Sequence, residues 1–269
     1  MPAESAISES QKTKKVAYLI ELAMVKHGTE KLTERLATFA EKYRRVIASG
    51  HLVSLTDNAM GKLAFQGHEA IRELKLEVPE RRVMIHLNTF HTPADLCHIL
   101  DSCGELGVRE LLIISGDGSI RLPKLRPADL GVGGEAVTSV ELVSYLKKEF
   151  GDYFRLGVAF NQYEPEEHEH AKLRRKLDAG ADFVITQPVV EPSATIDRLH
   201  RTLPVPLHLE AWMSPKIELL GECIGYQFPA DTAFDPVAAL RRLEAHYAGR
   251  SFYLALLNFA KQFDLVVHP

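Results

Sequence analysis

The sequence predicts an α/β protein built as a single (β/α)8 barrel. Three observations carry that expectation. Eight short apolar runs alternate with longer amphipathic segments along the chain. The runs are continuously apolar rather than alternating, as expected of strands covered on both faces. The chain's 269 residues lie close to the ~250 typical of such barrels. An open doubly wound sheet is the competing arrangement, because periodicity alone does not separate the two.

The predicted strands are VAYLIEL (16–22), HLVSLT (51–56), RVMIHL (82–87), ELLIIS (110–115), FRLGVAF (154–160), DFVITQ (182–187), VPLHLEA (205–211) and SFYLALLN (251–258). Between the first two, Leu32, Leu36, Phe39, Tyr43 and Val46 recur at helical spacing. Thr29 is the expected N-cap of that helix, and Pro93 the expected opening of the third. Further helices are expected near 62–76, 138–149, 166–179, 193–202, 215–224 and 236–248, with any helix after strand eight short. Residues 1–15 are polar and are expected to form a flexible N-terminal tail, leaving 16–269 as the barrel domain.

The composition bounds the function. Apolar residues make up 46% and charged residues 25%, ordinary for a soluble globular protein. A formal net charge of −4 argues against a nucleic-acid binder. No apolar run approaches the ~18 residues of a membrane span. Cys97, Cys103 and Cys223 give no disulfide framework and no zinc-ligand spacing. A cytoplasmic enzyme that acts on a small molecule is the expectation, with no metal, no nucleic acid and no membrane.

In such a barrel the C-terminal strand ends build the site, and here those ends are polar. They carry Glu21, then Thr56 and Asp57, His86 and Asn88, Gly116 and Asp117, Phe160 and Asn161, Thr186 and Gln187, Glu210, and Asn258. Glu21 lies inside an apolar strand, where burial raises a carboxyl's pKa and suits a general acid; a buried salt bridge is the plainer account. Asp117 sits in IISGDGS, where flanking glycines let backbone approach a ligand; a tight turn is the alternative. No G-x-G-x-x-G fingerprint is present. His86 on pattern alone is more often a satisfied core histidine. Gln187 follows an apolar strand, and an inward amide there can read a polar heterocycle. Arg175 and Lys176 lie in a charged, largely solvated helix and can bind phosphate. His168 and His170, two apart on a helix, do not face each other and give no metal site.

The segments HLVSLTDNAMG, MIHLNTF, GVRELLIISGD and KLDAGADFVITQP resemble the methylenetetrahydrofolate reductases, in matching order, from about residue 16 to 258. That family's proteins are flavin-dependent (β/α)8 barrels that use reduced nicotinamide nucleotide to convert 5,10-methylene- to 5-methyltetrahydrofolate. The resemblance implies FAD as cofactor and NADH or NADPH as reductant. It implies that Glu21 is the acid that helps open the folate's five-membered ring, that Asp117 lies between flavin and pterin, and that Gln187 binds the folate. Thr56, His86, Phe160, Glu169, Arg175 and Lys176 occupy positions that contact FAD in the family. Phe160 replaces a usual tyrosine and Glu169 a usual aspartate. The sequence departs from the family at Ser115, where an arginine is usual, at Glu164, where a histidine is usual, at 57–61, where the family is glycine-rich, and at Leu22–Val25.

The leading expectation is a flavin-dependent reductase of a one-carbon folate, with Glu21, Asp117 and Gln187 opening into one cavity. Two alternatives stay open. One is a flavin-free folate barrel that transfers hydride directly or moves a methyl group. The other is a non-catalytic subunit, with homo-oligomer or partner-subunit assembly.

Overall fold

A computed structural model of the chain describes residues 17–118, 121–229 and 232–267; the predicted tail, 1–15, lies outside them. All eight apolar runs become strands, each shorter than its run. They are β1 (Leu19–Leu22), β2 (Leu52–Leu55), β3 (Val83–Leu87), β4 (Glu110–Ile113), β5 (Arg155–Phe160), β6 (Phe183–Thr186), β7 (Leu207–Ala211) and β8 (Ser251–Ala255). They pair in parallel in chain order, and β8 closes on β1 through Leu19↔Tyr253 and Glu21↔Ala255. The sheet is therefore the predicted closed barrel and not the open alternative.

The helices are α1 (Leu32–Ala48), α2 (Gly67–Glu73), α3 (Pro93–Leu106), α4 (Pro127–Leu130), α5 (Ser139–Phe150), α6 (Glu166–Asp178), α7 (Ala194–Thr202), α8 (Ile217–Ile224), α9 (Pro236–His246) and α10 (Phe259–Val267). Pro93 opens α3 as expected. Thr92 caps it by accepting a hydrogen bond from the Asp95 N–H at 3.1 Å, and Asp95 reciprocates. Thr29 does not cap α1. Lys31 holds that position in the left-handed conformation (φ 54), with no side-chain cap. The segment expected to be helical over 62–76 is helical only over Gly67–Glu73. Ahead of it the chain makes a single 3-10 turn, Ala59–Gly61, and Ala64 bridges to Lys26.

Alternate residues of each strand face opposite sides of the sheet, so a closed barrel has two cores. The outer core, between sheet and helices, takes Ile20, Leu22, Val53, Leu55, Leu156 and Val158 among others. The inner core is small: Leu19, Met84, Leu112, Phe183, Ile185 and Tyr253. Below it, Arg155 Nη1 lies 2.8 and 3.0 Å from the two carboxylate oxygens of buried Glu110 and stacks over the Phe183 ring at 5.2 Å. This plug makes the barrel a packed cylinder rather than a pore. Glu21 and His86 stand on its C-terminal side.

Gly157 is part of that plug. A Cβ there would stand 2.2 Å from the Phe183 ring. Gly157→Ala is expected to lower stability by about 1–3 kcal/mol through overpacking, read as a lower urea midpoint at unchanged slope. Adding Phe183→Leu should recover part of the loss. An unchanged midpoint in the single variant would show that the ring moves aside at no cost.

Candidate active site

The upper barrel interior holds one connected polar network. The Tyr253 hydroxyl, projecting from β8, donates to Glu21 Oε2. It also lies 3.3 Å from Ser54 Oγ on β2 and 3.2 Å from His86 Nε2 on β3. Ser54 Oγ and His86 Nε2 are 2.8 Å apart. Burial pushes the Glu21 carboxyl above its ordinary range, with the Tyr253 hydrogen bond opposing. Burial pushes His86 down to about 4, so it is neutral at neutral pH. Tyr253 is held well above 10 by burial and by the nearby carboxylates of Glu21 and Glu210.

Among the described residues, two clefts at the C-terminal end of the barrel take in the predicted site residues. The first, about 480 Å³, runs from Glu21 past Met24 to Ala255 and Leu257; Lys26, Arg35 and Lys42 stand on its walls. The second, about 1040 Å³, lies over the ends of β4, β5 and β6 and reaches the first turn of α5 and one face of α6. Asp117, Gln187, Lys172 and Arg175 line it. Glu21 lines the first cleft, and Asp117 and Gln187 line the second, all on the same barrel face.

Residues 7–200 match the sequence profile of the family "Methylenetetrahydrofolate reductase". The chain belongs to the methylenetetrahydrofolate reductase family. Among curated relatives, "Methylenetetrahydrofolate reductase 2" of Schizosaccharomyces pombe is 33% identical over 111 residues, 36% of this chain and 16% of that protein. "Methylenetetrahydrofolate reductase (NADH) 1" of Zea mays is 26% identical over 180 residues, 58% of this chain and 28% of that protein. The matched part thus spans under a third of either relative's length. Among solved structures, a Clostridium thermocellum protein that binds two copies of 5-methyl-5,6,7,8-tetrahydrofolic acid superposes with a TM-score of 0.56 at 10% identity, covering 94% of this chain and 93% of that one. An oxaloacetate acetylhydrolase superposes with a TM-score of 0.51 at 12% identity, covering 93% and 79%. At such identities the likeness is one of fold.

The positions that match the reductase family's flavin contacts divide by where their side chains point. Asp117, Glu169, Arg175 and Lys176 line the large cleft. Asp117 is exposed and accepts a hydrogen bond from the Met60 N–H at 2.9 Å, which ties the turn after β2 to the end of β4. Glu169 is buried; it accepts from the Asn161 N–H at 2.9 Å and pairs with Lys172 at 2.6 Å. Thr56, His86 and Phe160 do not line that cleft. The Thr56 hydroxyl accepts from the Met24 N–H at 3.1 Å, and His86 belongs to the inner network. Phe160 is a correction to the sequence reading. It follows Leu156 and Val158 on the outward row of β5, 1% exposed, and packs edge-on against His170 of α6. Its ring fills the outer core.

Sequence reasoning missed Tyr253, Ser54 and Lys172. Asp57, named among the polar strand ends, is buried and holds the β2 and β3 ends together through the Asn88 N–H at 2.9 Å and His91 at 2.7 Å. Among the described residues no group of three or more His, Cys, Asp or Glu side chains is arranged to hold a metal, and no helix is long and apolar enough to cross a membrane.

Arg175 and Lys176 separate in role. The Lys176 ammonium is buried and donates to the Ala159 carbonyl at 2.6 Å, and burial lowers its pKa. Arg175 is exposed at the cleft, 3.7 Å from Glu141. Lys176→Ala is expected to cost about 1–3 kcal/mol of stability by unpairing a buried carbonyl. Arg175→Ala should leave the melting temperature unchanged. Equal melting of both variants with the parent would remove the structural role assigned to Lys176.

Proposed function

We propose that this protein reduces 5,10-methylenetetrahydrofolate, or a closely related one-carbon pterin, to its 5-methyl form with NADH or NADPH. The observation that supports it most directly is Glu21: a carboxyl inside an apolar strand, raised in pKa by burial and opening into a cleft with Lys26, Arg35 and Lys42 on its walls. An acid whose pKa is raised holds its proton to higher pH than a free carboxyl, which suits protonation of the ring nitrogen that leaves the methylene carbon. The three cations suit the acidic tail of a folate. The folate-binding Clostridium thermocellum protein and the relatives named as NADH-linked reductases agree with this substrate and reductant.

The second cleft supports a dinucleotide. Lys172 and Arg175 offer an ammonium and a guanidinium to a diphosphate, and that donor set fits FAD's diphosphate. Lys172 and Arg175 would hold it, with Glu169 orienting Lys172 through their ion pair at 2.6 Å and Asp117 standing at the cleft's edge. Bound FAD would supply hydride acceptance from the nicotinamide and hydride donation to the folate. Gln187 continues the inward row of Phe183 and Ile185, so its amide faces the mouth and can hold the pterin's polar edge. Burial keeps His86 neutral, so no imidazolium draws the proton off Glu21.

A second reading is favoured by Thr56, His86 and Phe160, which do not line the cleft. In it the nicotinamide nucleotide occupies the large cleft itself and passes hydride to the folate without a flavin. The absorption spectrum of the freshly purified protein separates the two. Flavin bands near one per chain support FAD; a colourless protein that FAD does not reconstitute, yet that reduces the folate, supports the second.

Glu21→Gln preserves size and hydrogen bonding but removes the acid. General acid catalysis is typically worth ~100- to 10,000-fold, or about 3–5 kcal/mol of barrier. Folate-dependent NAD(P)H oxidation is expected to fall at least ~100-fold, while binding of the 5-methyl product stays close to that of the parent. Undiminished turnover would leave Glu21 a structural role only.

A further inference from the structure

The network leaves one half-buried, inward-facing carboxyl unused. Glu210 on β7 lies in register with Tyr253 on β8, and Ala255, the next inward residue of β8, lies in register with Glu21 on β1. Tyr253 thus stands on the strand between the two glutamates, and the Ala255 methyl leaves the space through which its hydroxyl reaches Glu21. The Glu210 backbone N–H is bonded to Thr186 Oγ1 at 3.1 Å. No cation is paired with either carboxyl among the described residues. The ionisable groups around them are Tyr253 and His86 from the barrel interior, and Tyr163, in the loop after β5, beside Glu210.

We infer that Glu210 is a positioning residue for Glu21: the two inward-facing carboxyls, on the strands that flank Tyr253, titrate as one pair, and the repulsion between their charges favours the form that carries a single proton. Two carboxylates facing one partly desolvated site do not both ionise readily, and their protons leave in two steps that belong to the pair. Burial and the Glu21 charge both hold Glu210 far above the ordinary carboxylate range. Tyr253 donates to Oε2 of Glu21, which leaves Oε1 for the proton that is transferred. When Glu21 protonates a substrate nitrogen, its O–H bond breaks and an N–H bond forms. The pair then carries two negative charges, and it takes up one proton from water. The shared proton is a property of the folded protein; its use in turnover rests on the function proposed above.

Coupling of this kind is reciprocal. Glu210→Gln removes the neighbouring charge, so the remaining Glu21 carboxyl should ionise at lower pH than the upper step of the parent. Glu21→Gln should do the same to Glu210. The infrared carbonyl band of protonated carboxyl, followed against pH as a difference from the Glu21→Gln, Glu210→Gln double variant, reads this without substrate. Each single variant is expected to lower the upper midpoint by about one pH unit or more, the threshold for coupled sites. In the activity assay, the alkaline limb of the Glu210→Gln profile should move down by the same amount. A single-variant midpoint equal to the parent's, or no protonated carboxyl band in the parent at pH 7, overturns the inference. If one variant does not fold, the midpoint of the other decides. An infrared shift in a protein that reduces no folate would leave the pair standing and remove the proposed reaction.

Discussion

Closure of an all-parallel sheet is the constraint from which the rest follows. Once β8 pairs with β1, every second strand residue points into a narrow cylinder with no exit at its floor. Leu19, Met84, Leu112, Phe183 and Ile185 fill the middle, and the Glu110–Arg155 pair lies below. Polar residues above that plug therefore sit on a dry base. Desolvation disfavours the charged form of any group there, which raises Glu21 and Glu210 and lowers His86 with one cause. The chemistry of the mouth follows from the packing beneath it.

The fold was legible because its signals are local. Eight apolar runs and the eight amphipathic segments between them need no tertiary information, and strands buried on both faces read as continuous runs. Glu21 was legible for the same reason: a carboxylate inside such a run is an anomaly within a few residues. The boundaries were less so. α2 begins only at Gly67, because Asp57, Asn58 and Gln66 hold the preceding turn by hydrogen bonds that no helical periodicity reveals.

The site partners were not legible, because they depend on register. Tyr253 read as one more aromatic in an apolar strand; its partners Glu21, Ser54 and His86 are 232, 199 and 167 residues away. Phe160 shows that a position carried over from a resemblance does not fix which way its side chain faces. The inward row of β5 passes through Gly157, which the Phe183 ring covers, and counting from there puts Phe160 outside. Lys176 and Arg175 divide likewise: the helix turns one toward the Ala159 carbonyl and the other toward solvent.

The identity of the residue between the carboxyls decides what the pair can do. An arginine or lysine at position 253 would satisfy an oxygen of Glu21 with a full positive charge, and an opposite charge within ~4–6 Å draws a carboxyl's pKa down. The site would then hold a salt bridge and no proton. A leucine would leave Glu21 Oε2 with no donor in a desolvated place, an arrangement that costs stability. A phenol does neither: it donates one hydrogen bond and brings no charge, since burial and the adjacent carboxylates keep its own proton firmly bound. His86, the other group that touches Tyr253, meets the same requirement by staying neutral. The inner network is thus hydrogen-bonded to Glu21 without being ionically paired to it, and that distinction leaves desolvation free to raise the carboxyl's pKa, as the acid role proposed for it requires.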